Sequence, residues 1–600
     1  MCGVCGAVSG YRQEERRVLA MVARLSHRGP EASAVTSFGG CALGHTRLRI
    51  LDLREVADQP LGNEDGTVWA VYNGEIYNFR ELRAELSSSG HRFKTDGDTE
   101  VLVHLYEQHG ADLLKRLRGM FAFAIWDEPR RKLLLARDRL GIKPLYYSQD
   151  GSDLRFASEA HVLVEPKAEL NQQALAGYLR FGWVPSPQTI FDSVQELPPG
   201  HLLEWSEGQT SIRQWAQTPH LNRGRPNADS LSEALTDSLS RHLVADVPVG
   251  LFLSSGLDSV ALATLASKGG HPLRTYTVAF DEGPGESEEA AKQARRLGLP
   301  HEVIRLSCAD ILENLPRIIA DMDQPTVDGV NTWAISRAVK QAGCTVALSG
   351  LGGDELFSGY STFRKVPALA RAGALASIVP AQLRWQMAGA FERAKSHGVR
   401  RAADAIAGDG LAAAYTAMRG VTGRLELSRL LPRSTYDPLG ALSVRDCPAG
   451  SGAVTHLELQ NYLPQQLLRD TDIMSMAHSL EVRVPLLDDA VVAAALGCPV
   501  DAQGRSGKAR LAAAVDTQLQ QVAAQTKKTF TLPFERWLRG PLKQTAHDSI
   551  ERLAEPDVGL DRWELGALWD RFQQDRVHWR TIWALAVLGL WIDEHCGRVN

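Results

Sequence analysis

No stretch of this chain approaches the roughly 18 consecutive apolar residues of a membrane span. The nearest, Ile582 to Ile592, reads as a buried helix. The opening MCGVCGAVSG lacks a basic region followed by a long apolar core, so a secretory signal is not expected and the cytoplasm is the default location. Neither sign of charge dominates. The 66 Lys and Arg against 71 Asp and Glu leave a net charge of -5, which offers no broad cationic field to nucleic acid or anionic lipid. Cysteine is sparse: eight in 600 residues, at 2, 5, 41, 308, 344, 447, 498 and 596, which builds no disulfide scaffold and agrees with a reducing compartment. Internal repeats and low-complexity tracts are lacking too.

What is present suits a globular chain, with 44% hydrophobic and 23% charged residues. Its length exceeds what one core organises, so two domains are expected. Residues 1–205 read as short β-rich runs (VWAVYNGEIYN, RKLLLARD, PLYY, LRFAS) with helical patterns near Arg80 to Gly90 and Thr99 to Gly110. The polar segment 206–229 reads as a linker. Residues 230–600 alternate strand, loop and helix, which predicts a mainly parallel sheet covered by helices, with ligands beyond the carboxyl ends of the strands. From about Lys365 onward helical spacing dominates.

Cys2 becomes the first residue if Met1 is trimmed. Its free α-amine, with a pKa of about 7.7 to 8.0, then serves as base beside its own thiol of about 8.5. Cys2 with Cys5 also admits a metal or redox pair, although a second ligand pair is missing. Taken singly, Asn73-Gly74 reads as a hairpin turn and Asp98 as a loop acid. Farther on, an apolar strand at 251–253 runs into Ser254-Ser255-Gly256-Leu257-Asp258-Ser259 and a helix, a geometry that turns backbone N–H groups toward an anion. The loop lacks the lysine of GxxxxGK[ST], so it is not built to cut the β–γ bond of a nucleotide. Ser349 to Glu355 (SGLGGDE) follows a second apolar strand, and Asp258 and Asp354 are candidates to hold magnesium together.

The order and spacing of HRGPE at His27, GHTRLRILD at Gly44, YNGEIYN at Tyr72, GDTE at Gly97 and GMFAFAIWD at Gly119 resemble the glutaminase domain of class II glutamine amidotransferases. That resemblance implies an αββα sandwich of the N-terminal-nucleophile type. It makes Cys2 the nucleophile, with Asn73 and the Gly74 N–H as oxyanion donors. Arg47 falls to the glutamine carboxylate, and Glu75 and Asp98 fall to its ammonium.

The Ser254 loop is similar to the SGGxDS loop of ATP pyrophosphatases, with Ser255 in place of the first glycine. DTDIMSMAHSLEVRVPLLD at Asp470, GRSGKARL around Lys508 and TKKTFTLPFERWL at Thr526 extend the likeness to asparagine synthetases over nearly the whole chain. This implies a parallel-sheet α/β domain of the ATP-pyrophosphatase type with a helical C-terminal part. ATP would lie on Phe252, Leu253, Ser254, Ser255, Gly256, Asp258, Ser259, Val278, Ser349, Gly350 and Lys508, with Mg²⁺ on Asp258 and Asp354.

The reaction implied is amidation of a carboxylic acid, by default aspartate to asparagine with release of AMP and pyrophosphate. A homodimer is compatible with the resemblance. Arg483 and Asp488 read as a structural ion pair. Leu351 stands where aspartate-using members carry glutamate, and DQPTVDGVNTW at Asp323 departs from the usual acceptor-side pattern. A different acid, such as a uronic acid of a sugar nucleotide or a natural-product precursor, is therefore the alternative.

Overall fold

The computed structural model describes residues 2–9, 14–165, 168–217, 228–280, 286–391, 396–432, 451–497, 507–524 and 532–596. Strands β1 (Gly3–Val8), β2 (Ala32–Phe38), β3 (Cys41–Arg47), β4 (Leu61–Gly62), β5 (Val68–Ile76), β6 (Gly119–Asp127), β7 (Lys132–Arg137), β8 (Tyr146–Asp150), β9 (Asp153–Ala157), β10 (Gln195–Glu196), β11 (His201–Ser206) and β12 (Gln209–Gln214) form two antiparallel sheets. Their orders are β10-β8-β9-β1-β3-β2 and β12-β11-β7-β6-β5-β4.

Alternation along β6 explains the layering, because successive side chains leave opposite faces of a strand. Ala122, Ala124 and Trp126 meet Val4, Val8, Leu43 and Phe156 of the first sheet. Phe121, Phe123 and Ile125 turn the other way, onto α2 (Phe79–Ser88) and α3 (Glu100–His109) through Leu82, Val101 and Leu105. The outer face of the first sheet is covered by α1 (Glu15–Arg24) and α4 (Gln172–Phe181), so the half is an αββα sandwich.

The second half centres on five parallel strands, β13 (Val249–Phe252), β14 (Arg274–Phe280), β15 (His301–Leu306), β16 (Val346–Leu348) and β17 (Glu481–Arg483), in the order β15-β14-β13-β16-β17. Strand order reverses between β13 and β16. That reversal opens a crevice beyond the strand ends, where open α/β sheets bind ligands. Helices α5 (Ala228–His242) and α6 (Leu257–Lys268) lie in this half, and residues after Thr362 are predominantly helical.

The apolar run at 582–592 lies in the helix Trp579–His595, whose face is buried against α4 and its neighbours; the Tyr178 hydroxyl donates to the Ala584 carbonyl at 2.8 Å. Among the described residues no helix is long and apolar enough to cross a membrane.

One boundary needs correcting. The segment 206–229, expected as a linker, begins on the last residue of β11 and contains β12, which pairs with β11 from His201↔Gln214 to Ser206↔Gln209. It is an edge strand with a mostly exposed face, so its polar sequence imitates a loop. Residues 218–227 lie outside the described residues.

Candidate active sites

Cys2 sits at the head of β1 in the inner sheet, 8% exposed. Its backbone N–H donates to Asn73 Oδ1 at 3.0 Å, and its carbonyl accepts from Arg28 Nε at 3.1 Å. Burial raises the thiol above its ordinary range, opposed by a backbone hydrogen bond from Leu48 and the charge of Arg47.

Asn73 and Gly74 do not form a turn; both lie inside β5. With Asn73 Oδ1 committed to Cys2, its Nδ2 is a buried donor without a partner, a condition that native structures seldom tolerate without a use. Across the ladder from Gly74, Phe121 exchanges its backbone hydrogen bonds with Asp138. Gly74 therefore belongs to a non-bonded pair and turns its N–H away from β6. Tyr72 and Ile76 point the same way, donating to Gln59 Oε1 at 2.7 Å and Asp98 Oδ2 at 2.9 Å. A Cβ at Gly74 would run into the Met120 carbonyl, so this approach to β6 requires glycine.

Asp98 Oδ2 also accepts from the Tyr72 hydroxyl at 2.8 Å, and burial raises the carboxyl against these hydrogen bonds. Glu75 faces Arg483 Nη2 at 2.8 Å. Arg483 Nε meets Glu481 at 2.5 Å as well. Of the two carboxylates sharing this guanidinium, burial pushes Glu75 up, while against its own burial the charge of the chain's α-amino group and then that of Arg483 hold Glu481 down.

Arg47 is close by on β3, yet its fork is engaged. Nη1 donates to Asp58 Oδ1 (2.5 Å) and the Arg54 carbonyl (3.1 Å), and Nη2 donates to the carbonyls of Leu51 (3.1 Å) and Asp52 (2.6 Å). Cys5 is buried with Val18 and Val22. Among the described residues no cluster of metal-ligating side chains includes it or Cys2.

The expected Arg483–Asp488 pair does not form. Asp488 is bound by Arg118 at 2.7 Å, and Arg483 turns to Glu75 on β5. Sequence reading also passed over Arg28 within HRGPE. This fully buried guanidinium joins the Cys2 carbonyl to Glu159 at 2.8 Å and to Asp472 at 2.6 Å. Its only sequence signal was membership in a recognised motif.

The second site lies in the crevice between β13 and β16. Phe252, Leu253, Ser254, Ser255, Gly256, Asp258, Ser259, Val278, Ser349, Gly350, Asp354 and Lys508, the whole expected nucleotide set, line one cavity of about 1720 Å³. Gly256 caps α6 and lines the cavity with Leu257, Asp258 and Ser259 of the first turn, which puts the positive end of the helix dipole at the cavity wall. The two loops touch. A Cβ on Gly350 would come within 2.9 Å of the Ser259 nitrogen.

Asp258 and Asp354 converge on one cation, Lys508 Nζ, at 2.5 Å and 2.7 Å. Against the burial that would lower it, the two carboxylates raise the Lys508 pKa. Such a pair of hard oxygen donors around a cation suits Mg²⁺. Leu351 lines the same cavity with Tyr360, Arg419 and Tyr462.

The Asp323 segment opens on contacts between the two halves. Its carboxylate accepts from the Ala160 and His161 backbones at 3.0 and 2.9 Å, and Gln324 accepts from Ile190 at 3.0 Å, which joins the two halves. The first six residues of the TKKTFTLPFERWL motif, 526–531, lie outside the described residues.

The glutamine amidotransferase domain family matches residues 1–216, and the asparagine synthase family matches residues 230–593. Asparagine synthetase [glutamine-hydrolyzing] 1 of Bacillus subtilis is 29% identical over 633 aligned residues, which cover 98% of this chain and 96% of that protein. A putative asparagine synthetase of Mycobacterium bovis is 31% identical, with 98% and 97% covered. Asparagine synthetase [glutamine-hydrolyzing] 3 of Bacillus subtilis is 34% identical over 60% of this chain and 64% of its own length.

Proposed function

This chain belongs to the asparagine synthase family, and from that membership we propose that it is a glutamine-dependent, ATP-consuming amide synthetase, a carbon–nitrogen ligase with two separate reaction centres. Cys2 attacks the side-chain amide of glutamine, ammonia leaves, and water hydrolyses the thioester to glutamate. At the second centre a carboxylate attacks the α-phosphorus of ATP and pyrophosphate departs. Ammonia then displaces AMP from the acyl-adenylate. The observation that carries the first half is the unpartnered Asn73 Nδ2 beside Cys2, a fixed donor where an oxyanion develops.

Asn73→Ala is expected to lower glutamine hydrolysis by about 10²–10³-fold in kcat, roughly 2.7–4 kcal/mol, and to spare synthesis from added ammonia. An unchanged glutaminase rate would remove Asn73 from the oxyanion site. Mg²⁺ would be held by Asp258 and Asp354 and would neutralise charge on the departing pyrophosphate. With phosphate in place, Lys508 is free to leave the two acids for its oxygens.

Aspartate is the acceptor we propose, giving asparagine in the cytoplasm. A second reading, a larger or more anionic acid, draws on the lining of the cavity. Leu351 offers no carboxylate, and Arg364, Lys365, Arg401, Arg419 and Arg580 are among the lining residues. Burial and then the neighbouring arginines lower Arg401 to about 10, while Arg419 is paired with Glu458 at 2.6 Å. Incubation with ATP, Mg²⁺, glutamine and aspartate should yield asparagine with stoichiometric AMP. Glutamate formation without asparagine would reject aspartate and favour the anionic acceptor.

A further inference from the structure

Away from both centres, on the outer helical layer of the αββα half, four side chains from three chain segments meet: Glu64 before β5, His91 after α2, and His104 and Glu107 on α3. We propose that they bind one zinc ion, which staples the segment 91–98 to α3. One ligand atom from each lies within 4.8 Å of the others. His104 Nδ1 is 3.2 Å from Glu107 Oε2 and 3.3 Å from Glu64 Oε2; His91 Nδ1 is 3.6 Å from Glu64 Oε1 and 3.7 Å from Glu107 Oε2. Ligands about 2.0–2.2 Å from a tetrahedral zinc stand about 3.3–3.6 Å apart, so the four need little movement to take the ion.

The surroundings hold the donors in place. Glu107 Oε1 accepts from Asn63 Nδ2 at 2.9 Å, leaving Oε2 toward the imidazoles, and Glu64 Oε1 accepts from the Arg92 N–H at 2.8 Å. His104 is wholly buried, packed edge-on to Phe93 with centroids 4.7 Å apart. Its Nε2 is buried without a hydrogen-bond partner and stands 3.7 Å from Glu100 Oε1. A metal on Nδ1 puts the proton on Nε2, aimed at that carboxylate, the arrangement that fixes a ligating histidine's tautomer. Glu100 is itself held by the backbones of Lys94 and Thr95 at 2.8–3.0 Å.

Two imidazoles with two carboxylates favour zinc over magnesium or calcium. The partial exposure of Glu64 and Glu107 leaves an entry path. The other cluster of this kind, His547, Asp548 and Glu551, lies on one helix with no buried member. Because Asp98 ends the stapled segment, the ion would steady a residue of the glutamine site without touching substrate.

Full-length protein stripped with a chelator and titrated with Co²⁺ should take up one equivalent with the strong visible bands of tetrahedral cobalt, and zinc should raise its thermal midpoint. A Cys2→Ser variant should behave identically. His91→Ala should lose both responses, and Glu100→Gln should weaken uptake about 10–100-fold. No uptake by the folded wild type overturns the proposal, because the four groups then form only carboxylate–imidazolium pairs. Uptake that survives both His91→Ala and Glu107→Gln in folded protein, or that disappears with Cys2→Ser, overturns it equally.

Discussion

Cys2→Ala is expected to abolish glutamine-supported synthesis while leaving ammonia-supported synthesis near the wild-type rate. Removing a covalent nucleophile from a formed site costs on the order of 10⁶-fold in kcat, so residual glutamine use should fall below detection. The selectivity follows from placement. Cys2 immediately precedes β1 of the antiparallel half, whereas the residues expected to bind the nucleotide line the crevice of the parallel sheet, and Cys2 is absent from that lining. Alanine leaves the backbone contacts from Cys2 to Asn73 and Arg28 in place, so the fold around the site should survive. Parallel assays with glutamine and with ammonium salts, each reading AMP and amide product, check this. Loss of both activities in a folded variant would refute separate centres. Mass spectrometry belongs beside them, since activity from protein retaining Met1 would exclude the α-amine of Cys2 as the base.

What the sequence disclosed depended on how local each signal was. The two loops that line the cavity were legible because strand, Gly/Ser turn and helix are contiguous, and the crevice then follows from strand order. Cys2, Asn73, Asp98 and the run 73–75 were legible as members of short motifs. Partners across long separations were not. The Arg28–Asp472 bond spans 444 residues, and no periodicity reports it. Arg483 was assigned to Asp488, five residues away, because sequence favours near neighbours; packing instead gave Asp488 to Arg118. The strand β12 was missed because an edge strand facing solvent has no need of apolar alternation. The contacts of Arg47 with Asp58 and with three carbonyls were not legible either, since the RLRIL run reports none of them. The cluster of Glu64, His91, His104 and Glu107 carries no motif at all, since three segments assemble it.

The second large effect is expected at Arg483. This residue, wholly buried, ends β17 and bonds in both directions. Its guanidinium meets Glu75 beside the oxyanion donors and Glu481 on its own strand, and Nη1 donates to the carbonyls of His242 (2.8 Å) and Val244 (2.7 Å). Its backbone carbonyl accepts from the Ser349 N–H, the first residue of the second nucleotide loop, at 2.8 Å. Arg483→Met leaves two buried carboxylates facing each other without their cation, a change worth about 3–5 kcal/mol of stability. The same variant should raise KM for glutamine, because Glu75 loses the cation that holds it in place and opposes the effect of its burial. Adding Glu75→Gln and Glu481→Gln removes the stranded charges, so the triple variant should regain much of the lost stability; replacing a whole buried ionic group is often nearly neutral. Its glutamine KM should stay high. Thermal midpoints of the single and triple variants, with glutaminase kinetics on each, separate the two effects. If Arg483→Met melts like the wild type, the guanidinium is not what holds these carboxylates in the core.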